Sequence, residues 1–482
     1  MGKLFLTVVA FFVVCLFFSF KLTQVPDGLT VDESSFGYNA ILLSNTLHDQ
    51  NGRFLPIFVL SIDGKDWRQP VTQYFLTAYF KLFGASLFNL KFTSVIIVSL
   101  SAILIFFLGK LLQGTGGGVS TALIFLLTPI LMIHAHLGLD NIYPIPFTII
   151  WLMGVYQFKK TNNLKYLILA GISLGIGYYT YKGMRSAVPV WSVLTTVYIV
   201  IDYLKSFDKN ELKKVQKPLL AFFLSVLPFF AIIPLLEYKY AGAVLGLEPK
   251  TIQSVYSFFY PYFSSFDPSF LFIKGDDLPQ HSTGRHGMFL LASLPLFLVG
   301  LYQAIRLKNF WTFLAVSFFS APLLYGFVDS VHRASRLLYL LPAYSTIGSL
   351  GLMWLLQLKG KLAKCVLILT LILMTINYFD FVTYYWFQYA PDTRHIFYRF
   401  TKEDAYKKFA SLSQTQKLTP YIDQDLIADD TQLFLKSLYL PKPSPKWISG
   451  ADLPQSSVLL TPKNVNNLKE VVISEGLHIY TK

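Results

Sequence analysis

The sequence predicts an all-α polytopic membrane protein with about eleven transmembrane helices, amphipathic helices in its outer loops and a small C-terminal α/β domain. Three observations carry that expectation. Of 482 residues, 54% are hydrophobic and only 14% charged, against roughly 25% charged in soluble domains. Apolar runs of the length a bilayer requires, about 20 residues, recur along the chain. Lysine and arginine gather in every second link between those runs, the pattern that sets membrane orientation. That placement accounts for the net charge of +14 without nucleic acid as a partner. The 44 Phe and 29 Tyr suit lipid-facing helices and interfacial belts.

Met1-Gly2-Lys3 leads into the first apolar run, Leu4 to Phe20. No small-x-small cleavage site follows, and Val13-Val14 before Cys15 spoils a lipoprotein box, so the run reads as a retained signal-anchor helix. The helices are expected near 4–22, 88–110, 119–137, 144–158, 166–180, 187–203, 218–236, 287–304, 310–327, 337–357 and 364–380. The links Phe158 to Lys165, Lys205 to Lys217, Arg306-Leu307-Lys308 and Lys359 to Lys364 are basic and belong on the cytoplasmic side. The protein is thus expected to be integral to the cell membrane, with its N-terminus cytoplasmic. An odd helix count leaves the C-terminus outside.

The chain divides into a transmembrane domain, 1–380, and an extracytoplasmic domain, 381–482. Two outer segments, 23–87 and 237–286, are long, and loops beyond about 15 residues in a compact fold are usually functional or disordered. Phe36 to Leu47 in the first is expected to form an amphipathic helix lying along the membrane. In the tail, β-type runs (Val458-Leu459-Leu460, Val471-Val472-Ile473) alternate with helical ones (Glu403 to Leu412, Thr431 to Tyr439). Cys15 and Cys365, in or beside apolar segments, offer no disulfide framework and no metal site. His134-Ala135-His136 with Asp140 is a weak metal motif, because positions i and i+2 do not share a helical face. Gly114-Thr115-Gly116-Gly117-Gly118 lacks the Gly-Lys-Ser/Thr ending of a phosphate loop and reads as a flexible turn.

The acidic pair Asp32-Glu33 stands a dozen residues beyond the first helix. Adjacent carboxylates at a membrane surface are costly to desolvate, so they are solvated, paired or functional. Two readings stand: Asp32 caps the helix that begins at Ser34, or the pair supplies a general base whose acidity burial tunes. Basic and imidazole residues accumulate on the same outer face, among them Arg53, Lys65, Arg68, Lys182, Arg185, His281, Arg285, His286, His332, Arg333 and Arg336. The positive-inside rule disfavours that excess, and an anionic ligand explains it, since Arg forks readily onto phosphate.

In order along the chain come Gly-Leu-Thr-Val-Asp-Glu-Ser-Ser-Phe-Gly-Tyr-Asn-Ala from Gly28, Gly-Arg-Phe-Leu-Pro from Gly52 and Arg68-Gln69-Pro70. Leu-Gly-Leu-Asp-Asn ending at Asn141, Gly-Tyr-Tyr-Thr-Tyr ending at Tyr181 with Arg185, and Lys-Gly-Asp through Gly-Arg-His-Gly (274–287) follow. Arg-Leu-Leu-Tyr-Leu-Leu-Pro from Arg336 completes the series. Together, over about 20–350, they resemble the C-class (GT-C) polytopic membrane glycosyltransferases, in the dolichyl-phosphate-mannose protein mannosyltransferase-like branch that includes lipid A aminoarabinose transferases. The resemblance implies an inverting transferase that moves a sugar from a polyprenyl-phosphate-linked donor to a hydroxyl of a protein, lipid or glycan acceptor at the outer membrane face. It maps the family's catalytic acid onto Asp32, with Glu33 beside it. Arg68, Arg333, Arg336, Arg185 and His332 become the expected donor-phosphate residues, and Asp140, Tyr181, Asp276, His281 and Arg285 the expected substrate contacts. No cofactor is expected. A divalent metal on Asp32 and Glu33, as in the oligosaccharyltransferase branch of the class, is the alternative. Departures from the family are Ser34-Ser35, where aminoarabinose transferases carry Arg, and the lack of room for a β-trefoil insertion. The competing reading is a transporter or flippase of a lipid-linked or anionic solute, which would place charges at the bilayer midplane in two matching halves. In this chain the charges gather at outer helix ends instead.

Overall fold

The computed structural model describes residues 2–203, 209–246, 252, 254–328, 331–397, 403–423, 426, 429–440, 446–448, 453–466, 468–474 and 477–482. The chain opens with α1 (Gly2–Ser19), then α2 (Val31–Thr46) and the hairpin β1 (Val59–Ser61) and β2 (Asp66–Arg68). Next come α3 (Pro70–Phe83), α4 (Leu87–Leu126), α5 (Pro129–Ala135), α6 (Pro144–Thr161), α7 (Leu164–Tyr178), α8 (Met184–Tyr203), α9 (Lys209–Ala231) and α10 (Ile233–Lys239). Then follow α11 (Val255–Ser264), α12 (Leu294–Leu307), α13 (Phe310–Ser320), α14 (Leu341–Gln357) and α15 (Lys361–Phe387). The C-terminal part holds α16 (Tyr389–Thr393), α17 (Asp404–Thr415), β3 (Thr419–Asp423), α18 (Asp430–Tyr439), β4 (Lys446–Ile448), β5 (Ser457–Thr461), β6 (Lys469–Ser474) and β7 (Leu477–Thr481).

Local chemistry sets many of these boundaries. Prolines stand in the first turn of α3, α5, α6, α12 and α14, where the missing N–H costs nothing and the fixed φ suits the helix. The glycine-rich link behaves as expected of a turn. Gly114 adopts φ 77° inside α4, so the element is two helices folded back on each other, and Gly109, Gly117 and Thr121 meet across the bend. Between α12 and α14, Gly300 and Gly351 let the backbones touch, the small-residue packing that membrane helices use where lipid removes any hydrophobic drive to associate.

The protein is an integral membrane protein. Against about eleven expected crossings, six helices among the described residues are long and apolar enough to cross a bilayer: 87–126, 184–201, 214–239, 310–327, 338–357 and 361–387. Three shorter apolar helices, 5–19, 164–178 and 291–307, run with them. The expected spans 119–137 and 144–158 are interrupted or short, the first broken between Leu126 and Pro129. Of the expected basic link 205–217, residues 205–208 lie outside the described residues.

Buried apolar side chains form two large clusters. One runs through the helical bundle from Cys15 to Phe397. The other joins Leu29, Phe36, Ala40 and Ile41 of the first outer loop to Leu76, Phe80 and Leu90, and to Phe409, Phe434, Leu460 and Ile479 of the C-terminal domain. α2 is therefore not the membrane-lying helix expected over Phe36 to Leu47. It packs between α3 and α18, buried along most of its length, because its apolar side faces the C-terminal core rather than lipid. The C-terminal sheet has the order β4-β3-β5-β7-β6, with β3 parallel to β4 and β5 and the remaining pairs antiparallel. The expected α/β tail is thus present, with α17, α18, β5 and β6 at the segments read from pattern.

Candidate active site

The first turn of α2 separates the two acids. Thr30 is the N-cap, so the capping expected of Asp32 falls two residues earlier. Its hydroxyl accepts from the Glu33 backbone N–H at 3.2 Å, and the Glu33 carboxylate accepts from Thr30 N–H at 2.9 Å, a reciprocal capping box. The other Glu33 oxygen accepts from Gly138 N–H at 2.8 Å. Glu33 is fully buried and does not reach the cavity, so the expected catalytic pair resolves into one structural acid and one exposed to the site. Glu33 ties α2 to the loop that carries Leu139 and Asp140. Lys91 donates to Pro26 O at 3.2 Å and His136 Nδ1 pairs with Val25 O at 2.7 Å, which pins the approach to α2.

The β1–β2 hairpin supplies the second arm. In its register Ser61 faces Asp66 and Val59 faces Arg68. Arg68 is 4% exposed: Nε donates to Ser35 Oγ and Ser61 Oγ, both at 2.8 Å, and Nη1 donates to Asp32 Oδ1 at 2.8 Å. Asp66 lies 3.2 Å from the same nitrogen and also pairs with Lys182. The guanidinium sits 4.8 Å over the Phe36 ring, a cation–π contact strengthened by burial. Arg68 Nη2 is buried without a partner among the described residues. Alternation along β2 turns the neighbouring Trp67 the other way, where its indole N–H donates to Ala241 O at 3.1 Å.

A cavity of about 330 Å³ opens between these arms and the helix ends. It is lined by Asp32, Asp66, Trp67 and Arg68, by Asp140, Asn141, Tyr181 and Lys182, and by Gln280, His281, Arg333 and Arg336. Asp276 accepts from Leu278 N–H at 2.9 Å and Ser335 N–H at 3.3 Å, and stands 3.8 Å from Arg333 Nη1. It braces the arginine turn and does not line the cavity. Arg336 donates to Val328 O at 3.2 Å, and its own carbonyl accepts from the Tyr325 hydroxyl.

Of the residues expected at the site, Asp32, Arg68, Arg333, Arg336, Asp140, Tyr181 and His281 converge on the cavity. Arg185 does not line it; it donates to Gln69 Oε1 at 2.7 Å and Val244 O at 2.8 Å, locking the chain around Trp67. His332 is turned to Asp267 and Asp277, at 3.2 and 3.6 Å, with its ring stacked on Phe270. Arg285 lies over the Tyr384 ring at 4.7 Å, beside the His286–Asp380 pair. Lys182, one of the outer-face basic residues, and Asn141, in the Leu-Gly-Leu-Asp-Asn motif, also line the cavity, as do Asp66 and Gln280, which the sequence did not single out. Asp66 had a readable signal, an Asp-Gly turn between alternating strand residues over 59–68. The two histidines of the weak metal motif part company: His136 holds Val25, while His134 stacks on His281 with centroids 5.0 Å apart and planes 7° from parallel. Among the described residues, no three His, Cys, Asp or Glu side chains converge as a metal set.

The electrostatics divide the two cavity carboxylates. Burial opposes ionisation of Asp32, but the Arg68 guanidinium, with His281 and Lys182 farther off, outweighs it and holds the carboxyl below its usual range. Burial pushes Asp140 up to about 7, Arg68 opposing and the Asp32 charge adding to the rise. Burial, with the like charges of Arg185 and Arg336, brings Lys182 down to about 8, against the pull of Asp32. Burial also lowers His281. The site therefore pairs one acid held below the usual carboxylate range with one raised to about 7, a division that allots proton-transfer roles in many enzymes.

The fold is that of a class of polytopic membrane proteins of known structure. ArnT from Cupriavidus metallidurans, in the crystal structure with undecaprenyl phosphate bound, aligns over 99% of this chain and 98% of its own, with a TM-score of 0.58 at 11% identity. Its apo structure gives 0.58 at 12% identity, over 99% and 97%. The archaeal oligosaccharyltransferase AglB from Archaeoglobus fulgidus, in complex with an inhibitory peptide and a dolichol-phosphate, aligns over 93% of this chain and 64% of its own (TM-score 0.53, 11% identity). At these identities the likeness is one of fold. Residues 68–234 match the family model of dolichyl-phosphate-mannose-protein mannosyltransferases, a stretch that includes Arg68, Asp140, Tyr181 and Lys182. The match to that family model thus covers about a third of the chain, and the whole chain shares its fold with ArnT and AglB. No curated protein sequence matches it significantly.

Proposed function

We propose that this protein is an inverting glycosyltransferase that moves one sugar from a polyprenyl-phosphate-linked donor to an acceptor hydroxyl at the outer membrane face. The observation that carries this is the Asp32–Arg68 pair in a cavity that Lys182, Arg333 and Arg336 also line. The acceptor oxygen attacks the anomeric carbon while its proton passes to the Asp32 carboxylate. The bond from that carbon to the phosphate oxygen breaks on the opposite face, and the lipid phosphate leaves with the electron pair. Lys182, Arg333 and Arg336 hold the negative charge that develops there, the role of preorganised cations. Because those cations converge, the reading assigns phosphate stabilisation to side chains and needs no divalent metal. The undecaprenyl phosphate bound to ArnT and the dolichol-phosphate bound to AglB support a lipid phosphate as leaving group.

Asp32 is a weak base, because its pKa is depressed. It works late in the displacement, when the attacking hydroxyl has become strongly acidic. A second reading assigns the proton to Asp140, whose pKa of about 7 matches a general base at neutral pH. The two separate on a pH profile. With Asp32 as base the acid limb lies below the ordinary carboxylate range; with Asp140 it lies near 7. The cavity sits at the end of the bundle beside the C-terminal domain rather than at mid-span, which favours transfer over the transporter reading. The helix ends that carry the basic links lie at the other end, so the reading places the cavity and C-terminal domain outside and the N-terminus in the cytoplasm. Transfer from a panel of radiolabelled polyprenyl-phosphate sugars tests the proposal, with purified wild type and Asp32→Asn compared. Label is expected to move to an acceptor or to water with wild type alone. Donor binding without turnover, combined with movement of donor across vesicles, would turn the reading to the flippase.

A further inference from the structure

We infer that the C-terminal domain holds the Asp32–Arg68 pair in register through α18, with Asp430 as the positioning residue. The inference rests on the transferase reading for what the pair does, but its geometry stands apart from that reading. Asp32 is borne by α2 and Arg68 by the β1–β2 hairpin, and α18 grips both. The turn between β1 and β2 puts Ile62 at φ 50° and Asp63 at φ 52° before Gly64 at φ 76°. A β-branched residue in the left-handed region is strained and persists only where its surroundings hold it. The hold is Asp430 Oδ2, which accepts from Ile62 N–H at 2.8 Å. Asp430 is 5% exposed. The N-cap duty of α18 belongs to Asp429, whose Oδ1 accepts from Gln432 N–H at 2.8 Å, so Asp430 reaches across to the hairpin.

One turn further along α18, Phe434 is fully buried with its ring against Gly37 of α2, where any Cβ would come within 2.5 Å of the ring. Positions 430 and 434 share a helical face, so a single face of α18 sets both arms. Phe36, beside Gly37, carries the Arg68 guanidinium on its ring. A shift of α18 therefore changes the distance between the acid and the arginine, and misplacement by about 1 Å costs enzymes up to about 100-fold in rate.

The test uses the full-length protein with Asp430→Ala, Asp430→Asn and Phe434→Leu. Asp430→Ala is expected to lose about tenfold in kcat and to move the acid limb of the rate to higher pH, because a slack hairpin lets Arg68 withdraw from Asp32. Asp430→Asn keeps an oxygen that accepts from Ile62 N–H and is expected to restore both. Hydrogen exchange over 59–68 should quicken in Asp430→Ala and return to the wild-type rate in Asp430→Asn. Phe434→Leu keeps an apolar core and should quicken exchange over 31–46 instead. Wild-type exchange in both segments of these variants, or an Asn variant as slack as the Ala variant, overturns the inference. Exchange is read without turnover, so a wild type that transfers no sugar would defeat the functional reading while leaving this one decided by exchange alone.

Discussion

The two buried clusters differ in what surrounds them. The membrane cluster is wrapped in further apolar residues, since lipid meets Ile368, Leu369 and Ile372 on α15 as readily as protein would. The second cluster is bounded by polar groups: Tyr38 and Tyr439 at its edge, Asp430 and Arg68 against it. β2 shows the contrast within two residues. Trp67 belongs to the membrane cluster, while Arg68 lies over Phe36 of the second one. The candidate site occupies the seam, where charged side chains can be buried and still find water or ligand on one side. A reactive carboxylate needs both conditions, and neither cluster alone supplies them.

Cutting the seam at its acid is the sharpest way to test this contrast. Asp32→Asn keeps the shape of the wall and is expected to lower transfer by about 10²–10⁴-fold, the usual contribution of a general base, with thermal unfolding and donor binding unchanged. Turnover near that of wild type would remove the role. Arg68→Ala withdraws the bridge between the clusters. About a hundredfold loss of activity is expected, with an acid limb that rises toward the ordinary carboxylate range; Arg68→Lys should rescue little, since an ammonium lacks the fork that reaches Ser35, Ser61 and Asp32 together. Arg333→Ala and Arg336→Ala should each weaken donor binding by roughly 10–100-fold, the range for a hydrogen bond to a charged group. Isothermal titration with a polyprenyl phosphate measures this, and an unchanged Kd takes the residue out of the phosphate site.

Lys182 provides a pH test. Its pKa, brought down to about 8, means the ammonium is present below that pH and lost above it, so donor affinity should fall as pH rises through 8. Lys182→Arg keeps its charge, and its alkaline limb should move upward; an identical limb in both proteins would assign that titration elsewhere. The smallest effect belongs to the second cluster alone. Gly37→Ala drives a methyl into the Phe434 ring and should cost about 1–3 kcal/mol by overpacking. Slower exchange in the bundle helices should be untouched, and a loss of protection spread evenly over both regions would show that the clusters unfold as one.

The two regions were also unequally legible. Hydropathy and basic links disclose the bundle, because lipid imposes the same apolar requirement on every helix. The beginnings of α17, α18, β5 and β6 follow from ordinary periodicity in a solvated domain. α2 was misread because its apolar face, taken alone, fits a membrane surface as well as it fits Phe434, nearly four hundred residues away. The seven expected residues that converge on the cavity share an outer-face position and a motif, which sequence shows. Glu33, Arg185, His332, Asp276 and Arg285 share those features too, and only side-chain direction separates them: each is used by a backbone group, a carboxylate or a ring nearby. Asp66 was overlooked because its pairing with Lys182 joins the segment 23–87 to the link between α7 and α8, a contact no local pattern announces.

The bond from Asp430 to Ile62 spans 368 positions of the chain. Ribosomes add about 5–20 residues per second, so the first outer loop waits roughly 20–70 s for the segment that completes it. Through that interval Phe36, Ala40 and Ile41 lack their partners, and the loop is a ready client for chaperones on the side of the membrane where it emerges. On the proposed function, the Asp32–Arg68 pair is set for transfer only after the last stretch of the protein has been made.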